Sequence, residues 1–181
     1  MGALRRWLGR TAMEVAAVGG IAWVQLRRRR YRRRGRSLTS EERSSLATFF
    51  DEALLDSVRV CEVPRIEPGL PVWVIRALRL PASVDISFAS GMAFVDAVVI
   101  SDAARRRENP AAILFHELVH CAQFRELGVY RFLRRYLVGW AAAGFNYFAI
   151  PLEEQAYELQ DRFEAGESFD VRQELRRFDA A

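Results

Sequence analysis

The run Phe115-His116-Glu117-Leu118-Val119-His120 constrains this chain more than any other stretch. In a helix, residues four apart share one face, so His116 and His120 can present both imidazoles to one cation, with Glu117 beside it. The sequence holds only two histidines, and both are here. An H-E-x-x-H helix is the arrangement of a zinc site with an adjacent general base. It assigns His116 and His120 as metal ligands and Glu117 as the catalytic carboxylate. The competing reading is two histidines packed in a core.

With 181 residues, 51% of them apolar, the chain is long enough for one domain with a real core and too short for two ordinary ones. Its net charge of +4 hides an uneven distribution. Residues 1–36 carry eleven arginines against Glu14 alone, whereas 37–181 is mildly acidic. This divides the chain into an apolar, Arg-rich N-terminal tail over 1–36 and a catalytic domain over 37–181. Cys61 and Cys121 form no C-x-x-C and suggest no disulfide framework, so both read as buried thiols or as signs of a reducing compartment.

The tail reads as a membrane element. Trp7 to Leu26 reaches the ~20 residues of a span if Arg10 and Glu14 sit near the headgroups, and a helix lying in the interface fits equally well. Trp7 and Trp23 suit the two ends of such a segment. Eight arginines follow the apolar run and three precede it, which places the catalytic domain on the cytoplasmic side or simply in the cytoplasm. No small-residue cleavage site marks a signal peptide. An arginine block can also bind nucleic acid, but the acidic body and the lack of a recognised binding module disfavour that partner.

Thr39-Ser40-Glu41-Glu42 is a capping box, and the apolar positions after it predict one helix over about 40–58. Strands are predicted over Val72–Leu80, Val84–Phe88 and Ala93–Ser101. Asn109, Pro110 and Gly128 frame the histidine helix at about 110–127. The stretch 130–150 predicts a further helix buried in the core, with Leu137 to Ile150 its most apolar part. The fold class is therefore α+β, a small sheet packed on the histidine helix with other helices around it.

A catalytic zinc takes three protein ligands and leaves a position for water. With no third histidine, a downstream carboxylate is required. Glu153, Glu154 and Glu158 all lie beyond Pro151, which suits the first turn of a helix.

The segment Glu153-Glu154-Gln155-Ala156-Tyr157 resembles the E-x-x-A-[DY] element of the gluzincins, zincin metallopeptidases whose third ligand is a glutamate on a second helix. The run from Phe115 to Gly128, with Phe132–Tyr136 after it, resembles the small bacterial, minigluzincin type. The resemblance covers roughly residues 72–163. It implies a zincin-like fold, Zn2+ as cofactor, Glu153 as third ligand and a peptide or protein as substrate. Tyr157 stands where many of these proteins place an aspartate that orients a ligating imidazole. The implied reaction is peptide hydrolysis, with Glu117 activating water; Tyr136, Tyr147 and Tyr157 are oxyanion donors by residue type. A non-catalytic, zinc-stabilised binding domain is the alternative.

Overall fold

The computed structural model describes residues 2–66, 90–107 and 109–180. In chain order the helices are α1 (Gly2–Arg34), α2 (Ser40–Leu46) and α3 (Glu52–Ser57), followed by strands β1 (Arg59–Val63), β2 (Gly91–Phe94) and β3 (Ala97–Ser101). Helices α4 (Asp102–Arg107), α5 (Pro110–Ala142), α6 (Pro151–Glu164) and α7 (Val171–Ala180) follow, with a 3-10 turn at Tyr147–Ala149. The architecture is α+β, as the sequence predicts. The predicted strands at 72–80 and 84–88 lie outside the described residues.

The sheet runs β1-β3-β2, with β1 parallel and β2 antiparallel to β3. Central β3 is buried at all five positions, which matches its Ala-Val-Val-Ile-Ser run: a strand covered on both faces has no polar side to alternate. Instead of one strand over 93–101 there is a hairpin, with Gly91 opposite Ile100 and Phe94 opposite Ala97. Val95 makes the turn at φ 66°, and the following Asp96 is held from outside.

The predicted helix over 40–58 is two helices. The capping box at Thr39 forms as expected, but Phe49 and Phe50 both donate their N–H to the Leu46 carbonyl and close the first helix. Asp51 then restarts the chain by accepting the Leu54 N–H at 2.7 Å. An aspartate competes well as an N-cap and poorly inside a helix. The break turns Phe49 and Phe50 into the main core, where both rings meet Phe115.

Phe115 is fully buried and stacks on Phe163 of α6 at 4.4 Å between ring centres. With Leu118 and Val119 it forms the core face of α5 against Val58, Val60, Val98 and Ile100. Burying such side chains contributes about 1.5–3 kcal/mol each. Because Phe115, Leu118 and Val119 alternate along the helix with His116 and His120, the packing that holds the helix also fixes where the imidazoles point.

Gly128 has φ 72° and ψ 160°, a conformation that breaks α5 into two helical pieces. Only glycine takes it without strain. The second piece ends at Ala142, and the predicted core helix reaching 150 does not form; Val138 and Phe148 are exposed. Gly139 faces Pro151, where a Cβ would come within 2.7 Å of the ring, so this glycine lets α6 start close against α5.

Contacts cross the boundary at residue 36. Ala16, Ala17, Val24 and Tyr31 of α1 are buried, and Arg28 and Arg32 both bind Asp96 in the hairpin turn. Arg36 exchanges backbone hydrogen bonds with Val60 and pairs with Glu42 and Glu62. Arg29, Arg30, Arg33 and Arg34 stay exposed. Among the described residues, no helix is long and apolar enough to cross a membrane.

Candidate metal centre

His116 and His120 sit mid-way along the first piece of α5, both nearly buried, with their Nε2 atoms 3.1 Å apart. Glu153 enters from the first turn of α6. Its Oε2 lies 3.3 Å from His116 Nε2 and 3.4 Å from His120 Nε2. The three donors form a nearly equilateral triangle. Bonds of about 2.0–2.1 Å in a tetrahedron place ligand atoms about 3.3–3.4 Å apart, so this triangle is one face of a tetrahedral site. His116, His120 and Glu153 can hold a metal ion. Glu154 and Glu158 of the same helix are exposed and do not join this group.

The outer atoms of each ligand are also fixed. Gln123 donates its amide N–H to the Leu152 carbonyl at 2.9 Å, which turns its oxygen toward His120 Nδ1 at 2.8 Å. His120 must therefore carry its proton on Nδ1, leaving the Nε2 lone pair for the centre. Gln160 does the same for His116, with its oxygen 3.0 Å from Nδ1 and its amide nitrogen toward Glu164. Tyr136 donates to Glu153 Oε1 at 2.7 Å, so that Oε2 alone faces the imidazoles. Tyr157 lies against the His116 ring, 4.5 Å between centres. The Nδ1 of His116 is met by Gln160, so the imidazole is oriented by an amide where the resemblance pointed to residue 157.

Burial acts against every charge here, and the arrangement decides which survive. Burial alone would push Glu153 up, but the two imidazoles hold it well below the usual carboxylate range. Burial would lower His120, yet the Glu153 charge and hydrogen bond outweigh it and raise the imidazole to about 9. Cys121, next to a ligand, packs in the core with its thiol pushed well up by burial, and is not a donor to the centre.

Compared with protein-family models, curated proteins and solved structures, the chain matches none. Its chemistry must be read from the site itself.

Glu117 is 4% exposed, and its Oε2 has no hydrogen-bond partner among the described residues. Burial pushes its carboxyl up to about 6, against the opposing pull of His120 and His116. It has room because Gly91 of β2 lies alongside: a Cβ at residue 91 would stand 2.5 Å from Glu117 Oε1. Glu117, His120 and Glu153 open together into a mostly apolar cavity of about 160 Å³, bounded by α1, β2 and the second piece of α5.

Gln123 and Gln160 escape a sequence reading, because a neutral amide carries no signature of its own. Their spacing was the available signal: Gln123 is three residues after His120, and Gln160 is seven after Glu153 on the same helix face. Replacing Gln123 by Leu keeps its bulk and frees the His120 ring. Metal affinity is expected to fall about 10–100-fold, read by competition with a chromophoric chelator. Unchanged affinity would mean that His120 is oriented by something else.

Proposed function

We propose that the protein is a zinc-dependent peptidase of gluzincin type, with His116, His120 and Glu153 holding the metal and Glu117 acting as general base. The observation that carries this reading is the buried Glu117 carboxylate, whose Oε2 has no partner and which faces a cavity beside the donor triangle. A purely structural zinc site is closed by four ligands and has no use for a desolvated carboxylate at its edge. That disfavours the non-catalytic binding domain.

The donor set of two imidazoles and one carboxylate suits zinc, and bound there it would polarise a carbonyl and lower the pKa of water. Glu117 takes the proton of the attacking water and passes it to the departing amine. Burial favours both steps, since it raises the basicity of the carboxylate relative to an exposed one. Gln123, Gln160 and Tyr136 keep the ligands from turning while charge shifts. Gly91 keeps the base beside the reacting atoms.

The full-length protein, supplied with zinc, is expected to cleave members of a peptide mixture, to stop on addition of a chelator and to resume on return of zinc. Mass spectrometry of the mixture provides the readout, and zinc-loaded protein that cleaves nothing would count against the reading. A finer test is Gly91→Ala. The methyl group forces Glu117 aside without touching a ligand, and a shift of about 1 Å in a catalytic group costs on the order of a hundredfold. Zinc content should stay at the wild-type level while kcat drops by about that factor.

A further inference from the structure

The cavity beside the donor triangle has a wall that the metal centre does not require. Trp23 and Val24 of α1 face Phe132, Leu133, Leu137 and Trp140 across it, with Glu117, His120 and Glu153 at the polar end. We propose that α1 is part of the substrate site: Trp23 and Val24 shape a pocket for a bulky apolar side chain, of phenylalanine or leucine size, on a residue flanking the bond to be cleaved. Cleavage at that bond rests on the peptidase reading; the pocket stands on its own geometry.

Three observations carry it. At about 160 Å³ the cavity is as large as the ~150 Å³ apolar cavity that accepts a benzene ring. Its wall between the polar end and solvent is aromatic and aliphatic, so a charged side chain would enter without a counter-charge. The α1 wall is also held in place. Arg28 and Arg32 both grip Asp96, while Trp23 meets Phe94 edge-on at 5.4 Å and Tyr31 stacks on the same ring at 5.5 Å. Phe94 and Asp96 belong to the hairpin whose first strand carries Gly91, so α1 is fastened to the piece that positions Glu117. Trp140 adds a polar feature, since its indole N–H is buried without an acceptor among the described residues. A ligand carbonyl reaching it would gain a hydrogen bond.

The test uses the full-length protein with N-acetyl-phenylalaninamide and N-acetyl-alaninamide as probes, following the indole N–H resonances of Trp23 and Trp140. The phenylalanine compound should shift both and bind at least about tenfold more tightly than the alanine compound, as expected from its larger apolar surface. Trp23→Ala should remove that preference. Leu137→Trp, which fills the cavity from the opposite wall, should weaken phenylalanine binding at least about tenfold and leave zinc content unchanged, so the test does not depend on the first variant folding. Equal binding of the two compounds, or tight phenylalanine binding that survives Leu137→Trp, overturns the proposal. Preference without cleavage of any peptide would keep the pocket and sink the peptidase, and cleavage without preference would do the reverse.

Discussion

Glu153→Ala is expected to lower zinc affinity by about two to three orders of magnitude and to remove the charge that lies between the two imidazoles. Zinc sites of four ligands bind with about 10–16 kcal/mol, so one ligand is worth roughly 3–4 kcal/mol before any rearrangement. Among the described residues no other carboxylate joins the two imidazoles. Glu154 and Glu158 are exposed, and Glu117 is wedged against Gly91. Metal analysis after dialysis, with circular dichroism to confirm that the helices remain, gives the result directly. A Glu153→Ala protein that keeps stoichiometric zinc would show the third ligand to be misassigned.

Glu117→Gln should abolish hydrolysis and keep the metal. The amide is nearly isosteric, so the cleft beside Gly91 stays filled, but it cannot accept the proton of water. General-base catalysis of this kind contributes about 10²–10⁴-fold, and kcat should fall by that much with zinc content intact. The pH profile supplies a second check on the wild type. Burial raises the carboxyl to about 6 against the pull of the two imidazoles, and a bound dication would draw it lower. Activity needs the carboxylate, so it should be lost as pH falls, with the acid limb below 6. An acid limb well above 6, or comparable turnover by the Gln variant, would exclude Glu117 as the base.

The His116–His120 pair of the candidate metal centre was legible in the sequence because its logic is local, whereas the choice of Glu153 over Glu154 and Glu158 came from the resemblance. His116 and His120 are related by one helical turn, and Pro151 announces the helix that delivers Glu153. What lay hidden depends on contacts between distant segments. Nothing in the spacing around Gly91 says that a glutamate 26 residues later will press against it. Gln123 and Gln160 gain their meaning only once α5 and α6 lie side by side. The split of the predicted 40–58 helix was written in Asp51, but the apolar periodicity running through it concealed the cap. At Ala93–Ser101 an apolar run long enough for one strand concealed a turn, because the buried face of a hairpin and that of a single strand use the same residue types. In the N-terminal segment, too, contacts with distant residues were not legible. Trp23, which suits one end of an apolar membrane segment, packs on Phe94 within the protein, and Arg28 and Arg32 bind Asp96.

The dependence of α1 on late parts of the chain also bears on how the protein is made. Val24 is buried with Phe124, Phe132 and Trp140, and Gly20 packs on Leu133, more than a hundred residues downstream. At about 5–20 residues per second, α1 leaves the ribosome roughly 5–20 seconds before the surface that covers it exists. During that interval its apolar side has no partner, and its arginines are what keep the segment solvated. Helix α1 is thus made long before it can find its place, and nascent chains stopped short of residue 140 should expose it to proteases and chaperones.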